Sequence, residues 1–268
     1  MNAIALSNWD LALAALLIVI NGGLSLALSL RLERQLLIST IRMIVQLTLV
    51  GLVLTTLFSH VSPLWTSLAA LAMIAFAGHE VTARQERRLT GGWSYGLGTG
   101  CMLFAAGVVT IFALSTQVSP DPWYHPRYAI PLLGMVLGNT MTGVSLGLHT
   151  LTSTLTRERA AVEARLMLGA DRHEALLPVT RTAMKAAMMP IINSMAATGL
   201  VALPGMMTGQ ILAGADPAEA VKYQILVMFL IAGGTSIGAT GVVLAGGRRL
   251  TDARHRLRLD RLQAGKAA

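Results

Sequence analysis

The feature that most restricts this chain is an alternation along its whole length: long apolar runs, separated by short gaps that hold nearly all of its arginines. A hydrocarbon layer ~30 Å thick is crossed by about 20 residues of helix. In lipid every backbone polar group must be paired within the protein, so helices or closed barrels are the only spanning solutions. Runs of helical length cover residues 9–30, 40–58, 64–79, 95–117, 129–148, 190–213 and 221–245, of which 64–79 is the shortest. The expected fold is all-α: a polytopic membrane bundle of about seven transmembrane helices. A hydrophobic content of 54% against 13% charged residues excludes an ordinary soluble domain of this length.

The charges test that count independently. Arg31, Arg34 and Arg42 belong to the first gap, Arg84, Arg87 and Arg88 to the third, and six basic residues from Arg157 to Lys185 to the fifth. With the tail after residue 245, nineteen of the 21 basic residues fall on one side if the spans alternate, leaving Arg127 and Lys222 opposite. That side is expected to be cytoplasmic, with the N-terminus outside and the C-terminus inside. An even number of spans would spoil the asymmetry. The net charge of +8 therefore reads as topology, and no nucleic-acid partner is expected. The first basic residue follows the first apolar run, so that run reads as a retained helix in place of a cleaved leader. The single cysteine, Cys101, lies in an apolar run and has no partner in the chain for a disulfide.

We read one membrane domain over residues 1–268, with a cytoplasmic elbow at about 149–189 and a basic cytoplasmic tail at 246–268. Within the elbow, Thr156 is placed as an N-cap for a helix over 157–168, Gly169 as its left-handed stop, and Asp171 with Glu174 as the capping box of a second helix. An ordered, charged corner of this size is costly to keep as a mere connector and is expected to dock a cytoplasmic partner, with a solvated surface loop as the alternative. Small residues recur four apart at Gly96/Gly100, Gly134/Gly138, Gly143/Gly147, Gly205/Gly209 and Gly234/Gly238, the spacing that lets helix backbones approach closely.

The block Leu203-Pro204-Gly205-Met206-Met207 is unusual inside an apolar run. Proline removes a backbone donor and glycine is free to leave helical angles, so the sixth helix is expected to kink or open there, with Gly205 supplying the freedom. Carbonyls freed at membrane depth must face protein or a water-filled cavity. Polar residues within spans are costly and so are candidates for the interior: Arg42 and Gln46, His79 with Glu80, Asn139, Asn193, Gln210 and Tyr223 with Gln224. We take Gln46, Asn139, Pro204, Gly205, Met206, Met207 and Gln210 as candidates for a translocation pathway. Met206, Met207, Gln210 and Asn139 are the candidates for touching a metal in transit, although thioethers suit soft cations better than iron, and methionine is also an adaptable apolar filler. Asp216-Pro217 reads as an N-cap followed by a first-turn proline.

Two resemblances add to this reading. Glu163, Ala164, Gly169 and Ala170 resemble the Glu-Ala…Gly-Ala coupling loop by which permeases of ABC transporters grip their ATPase, with Leu177-Pro178 closer to the glycine than in the importer pattern. Residues 199–217, Gly-Leu-Val-Ala-Leu-Pro-Gly-Met-Met-Thr-Gly-Gln-Ile-Leu-Ala-Gly-Ala-Asp-Pro, together with Arg42, Gln46, Leu47 and Gly51, Ile130-Pro131, Gly134-Met135, Gly138-Asn139 and Leu168-Gly169-Ala170, resemble the FetB-type permease family. That family comprises membrane halves of bacterial ABC exporters linked to iron efflux, with plant relatives linked to aluminium tolerance. The resemblance implies a homodimeric permease of the bacterial inner membrane, exporting iron or a related metal. It implies coupling to a separate FetA-type ATPase subunit through Glu163, Ala164, Leu168, Gly169, Ala170 and Asp171. No G-x-x-x-x-G-K-[ST] stretch occurs in the chain, so it is not expected to be an enzyme or to bind a cofactor; ATP and Mg would sit on the partner subunit. The alternatives are a stand-alone secondary transporter driven by an ion gradient, ABC export of a non-metal solute, and a membrane scaffold.

Overall fold

The computed structural model describes residues 7–263, and the described residues form helices joined by short turns. In chain order these are α1 Asn8–Ala27, α2 Glu33–Ser59, α3 Pro63–Ala83, α4 Trp93–Ala113, α5 Pro126–Arg157, α6 Arg159–Met167, α7 Arg172–Ala197, α8 Gly205–Leu212 and α9 Pro217–Arg249. A π-helical turn, Leu114–Val118, extends α4. Six helices, α1 to α5 and α9, are long and apolar enough to cross a membrane by themselves. The chain is a polytopic helical membrane protein.

The seventh crossing follows from packing. Gly234 and Gly238 of α9 lie against Val136, Thr140 and Val144 of α5, and Gly246 against Leu148 and Leu151, so the two helices run in the same direction. Only a return between them permits that, and α7 makes it. Leu176 near its start meets Gly247 at the end of α9, whereas Ala187 meets Gly143 and Gly147 of α5. Hydropathy passes over α7 because Arg172, Arg181 and Lys185 fall between its start and its middle.

Opposed contacts orient the rest. Cys101 and Ala105 of α4 face Gly241 and Gly238 of α9 in reverse order, and Gly98 of α4 faces Val81 of α3. The ends of α3, α5 and α9 and the starts of α2, α4 and α7 therefore gather at one end of the bundle, here called the basic end. Residues 251–263 fold back over that end: Thr90 N donates to Arg261 O, Gln263 N donates to Arg88 O, and Leu89 and Leu250 are buried beneath. The tail at 246–268 is thus built into the fold as far as residue 263, while Lys266 lies outside the described residues.

The core is the contact zone of α3, α4, α5, α7 and α9, where small residues let backbones close up. A Cβ added at Gly238 would lie 2.7 Å from Thr140 Cγ2, and one at Gly143 would lie 2.6 Å from Thr235 Cγ2. Of the five spaced glycine pairs, Gly143/Gly147 and Gly234/Gly238 form this seam. At Gly96, Gly100, Gly205 and Gly209 a side chain would meet nothing within 4 Å. The pair Gly134/Gly138 is mixed, since only Gly134 is approached, by Met73.

Three boundaries differ from the sequence expectation. The segment 149–189 is mostly helix: α5 continues through Arg157 and α7 begins at Arg172, so the elbow proper is 158–171. Thr156 does not cap a helix; its hydroxyl donates to Thr152 O within α5, and Glu158 takes the N-cap position of α6. The span expected at 190–213 is not one helix. It breaks at Thr198, where Gly199 takes φ +91° and its N–H donates to Ala202 O. Pro204 then precedes α8 as its N-cap residue. The left-handed freedom expected of Gly205 is supplied six residues earlier, because a helix stop needs positive φ at the residue just past its last turn.

Candidate functional site: the elbow and the broken helix

The elbow is a rigid corner. Asp171 accepts from His173 N at 2.6 Å and Glu174 N at 2.8 Å, and Glu174 Oε2 accepts from Asp171 N at 3.3 Å, which completes the capping box read from the sequence. These backbone donors hold the Asp171 carboxyl below its usual range. Gly169 takes φ +94°, the left-handed turn that side chains resist. Arg159 pairs with Glu163 one turn on, and Arg165 Nη1 donates to Ala175 O across the corner. From the tail, His255 Nδ1 accepts the free first-turn N–H of Arg172 at 3.0 Å. The tail therefore braces the elbow, a contact 83 residues apart that local spacing does not reveal.

The tip of the corner is apolar and open. Met167 is 82% exposed and Leu168 87% exposed, beside Gly169 with free space around it. Two large apolar side chains held out by a capped, ion-paired turn match a surface made to be covered. Sequence reading named Leu168 and missed Met167; the signal was an apolar pair next to a glycine stop in an otherwise charged segment.

The pathway candidates are spread over three elements. Gln46 is exposed on α2, and Asn139 is exposed on α5 with its Nδ2 donating to Met135 O at 2.9 Å. Pro204, Met206, Met207 and Gln210 are half-buried at α8, with Met206 packed against the core and the Gln210 Oε1 enclosed without a hydrogen-bond partner. Gly205 is exposed. No side-chain hydrogen bond joins these residues to one another among the described residues. A cavity of about 530 Å³ between α2 and α3 is lined by Leu52, Thr56, His60 and Trp65 and by none of the candidates. Among the described residues no group of three or more His, Cys, Asp or Glu side chains is placed to hold a metal ion.

Several of the remaining polar residues form structural pairs, whereas the buried Gln224 Oε1 has no hydrogen-bond partner among the described residues. Arg42 of α2 and Glu80 of α3 form an ion pair, which explains two charges inside spans that the sequence left separate. Asp216 accepts from Ala218 N at 2.6 Å as the cap of α9, and Glu219 pairs with Lys222 at 2.6 Å. Sequence reading missed Gln85, a buried residue whose Nε2 donates to Val81 O and Ser145 O and so ties α3 to α5. It also missed the buried hydroxyls of Thr110, Thr140 and Thr235, which have no partner inside the core.

Around the broken helix the surface is apolar: Leu200 is 94% exposed, and Val201 and Leu203 project beside it. By alignment with α5 and α9, α7 stops ~15 Å short of their far ends.

Comparison with known proteins places the chain. Residues 8–251 match the family described as Uncharacterised protein family (UPF0014). The chain belongs to the UPF0014 family. A UPF0014 membrane protein of Synechocystis is 40% identical over 75% of this chain and 77% of its own length. The Arabidopsis thaliana protein ALUMINUM SENSITIVE 3 is 33% identical over 84% of this chain and 81% of its own length. The Escherichia coli protein named probable iron export permease protein FetB is 31% identical over 98% of this chain and 99% of its own length. No solved structure matches the chain. Membership extends from α1 through α9, and so takes in both the elbow and the broken helix.

Proposed function

We propose that this protein is the permease subunit of an ATP-driven exporter in a bacterial inner membrane, working as a homodimer with a separate ATPase subunit. The observation that carries the reading is the elbow: a capped corner with an exposed Met167-Leu168 tip, continuous with α7, which packs on α5 and α9. Force applied at Glu163, Ala164, Leu168, Gly169, Ala170 and Asp171 would pass along α7, one continuous helix that carries Pro178 and Pro190, into the core and toward the break at Thr198. Nucleotide binding on the partner shifts the pore only as far as its affinities for the two arrangements differ. The nineteen basic residues at the elbow's side orient that side to the cytoplasm.

A dimer accounts for the scatter of the pathway candidates. Gln46 and Asn139 are exposed in one protomer, and amide groups facing lipid are costly. A second copy that covers α2, the open face of α5 and the apolar loop at Leu200 would enclose them with Pro204, Gly205, Met206, Met207 and Gln210. The cargo we propose is iron or a related metal passing these oxygens and thioethers in transit, in line with the printed name of the Escherichia coli relative. Sealed vesicles holding the permease and its ATPase should move Fe(II) away from the ATPase side only when ATP is hydrolysed. Flux that follows an ion gradient and ignores ATP would contradict the reading, and ATP-driven flux of another solute would correct the cargo alone.

A further inference from the structure

Beside the folded-back tail lies a second cavity, of about 500 Å³, at the basic end between α4 and α9. Its wall has two tiers. The outer tier holds Trp93 of α4, Arg248 and Arg249 at the end of α9, and Arg261 of the tail. One helical turn deeper, Leu97 and Leu244 form the inner tier. We infer that this cavity binds an anionic phospholipid, with its headgroup phosphate among the three guanidinium groups and its acyl chains along Leu97 and Leu244.

The charges are arranged and unspent. Arg249 stacks over the Trp93 ring at 4.5 Å, and its Nε is enclosed without a hydrogen-bond partner among the described residues. Arg261 is held in place by donating to Arg249 O at 2.7 Å. The neighbouring carboxylates are engaged elsewhere: Asp252 with Arg256 at 2.9 Å and Asp260 with Arg258 at 2.8 Å. Among the described residues none of the three cavity arginines forms an ion pair. A buried guanidinium N–H without a partner is costly, and a phosphate oxygen is its natural acceptor. The start of α4, which has no side-chain cap, adds its positive end beside Trp93.

The tiers select a lipid over a soluble anion. A tryptophan beside arginines marks the headgroup level. Basic pockets between membrane helices on the cytoplasmic side suit anionic headgroups. Apolar walls a turn deeper offer nothing to free phosphate and much to the first acyl carbons.

The test uses the full chain with Trp9, Trp65 and Trp123, all exposed, replaced by phenylalanine, so that Trp93 is the only indole and can be excited selectively. It is reconstituted in phosphatidylcholine vesicles containing phosphatidylglycerol brominated near the headgroup end of its chains, or brominated phosphatidylcholine at equal mole fraction. Bromine quenches an indole it touches. Phosphatidylglycerol should associate at least about fivefold more strongly, the gain of one basic residue at an anionic surface. R248Q/R249Q should abolish the preference, while R84Q/R254Q, an equal charge loss at exposed arginines outside the cavity, should keep it. Equal quenching by both lipids in the unaltered cavity overturns the inference without reference to any variant. Loss of preference in both double variants reduces it to diffuse surface charge and also overturns it. Relief of the quenching by excess inorganic phosphate would assign the cavity to a soluble anion instead.

Discussion

Two regions of this molecule are almost equally apolar and are built in opposite ways. In α1 and α2 the described side chains are nearly all exposed: Ser25 and Leu57 are the buried ones, and leucine, isoleucine and valine face outward all round. In α4, α5 and α9 glycine, alanine and threonine line the contacts, and large residues interdigitate between them. Lipid tails are as apolar as leucine, so burying a leucine gains little inside a membrane, whereas close backbone approach gains dispersion contacts. Hydropathy therefore finds both regions and ranks neither; the small-residue seam is what marks the core. The α1–α2 pair is joined to that core lightly, by the Arg42–Glu80 ion pair near one end and by Arg127 over the Phe58 ring at the other.

The contrast is broken most severely at glycine. Gly238→Leu should cost about 3 kcal/mol or more, because even its Cβ would collide with Thr140, and the chain should melt well below the unaltered protein in detergent. Gly51→Leu on α2, where nothing lies within 4 Å, should change stability by less than about 0.5 kcal/mol. Thermal unfolding of the two variants side by side measures the difference, and equal losses would refute the division. If Gly51→Leu folds normally yet abolishes dimer formation, the exposed face of α2 is assigned to the partner copy.

Gly169→Val comes next. The valine must hold φ near +94°, which costs about 1–2 kcal/mol at the elbow. The membrane core should melt as before while co-purification with the ATPase is lost; retention would show that the corner's shape is not read by the partner. Smaller again is Arg42→Gln, about 1 kcal/mol or less for an ion pair that is half in solvent. Its effect should be local, as increased proteolysis in the turn between α1 and α2 with the core melting unchanged.

The mildest effect is on pH. Backbone donors and arginines hold the carboxyls of Asp171, Asp252 and Asp260 below their usual range, Asp260 at about 2 through its bonds to Arg258. A depressed carboxyl stabilises the fold above its unfolded value near 3.8, and that contribution disappears as pH falls toward the folded value. The share of hydrogen-exchange protection that these carboxylates give the elbow and tail should be full at neutral pH and disappear in acid, between roughly pH 4 and pH 2. Protection at neutral pH no greater than that of a D171N/D260N variant would contradict the role of these carboxylates.

Local signals were legible in the sequence, and signals that need a partner across space were not. The Asp171–Glu174 box and the Asp216 cap each lie within four residues, and both are present as read. The odd number of crossings was legible from the arginines, although α7 itself is hidden by Arg181 and Lys185, charges that fall between its start and its middle. Proline makes Pro204-Gly205 the conspicuous place for a break, yet the chain turns at Gly199, where nothing in the residue pattern distinguishes one glycine from its neighbours. Arg42 with Glu80 and Arg172 with His255 are 38 and 83 residues apart and have no sequence signature at all. Which glycine pairs form the seam depends on which helix faces them, and spacing alone marks all five alike.

The most direct measurement is site-specific labelling at the elbow tip. Leu168→Cys in a Cys101→Ser background places one thiol beside Met167, on a side chain that is 87% exposed. In sealed vesicles it should react with a membrane-impermeant maleimide from the cytoplasmic face only, and should be shielded once the ATPase subunit is bound. Labelling from the opposite face, or unchanged labelling in the assembled complex, would contradict a permease driven through its elbow.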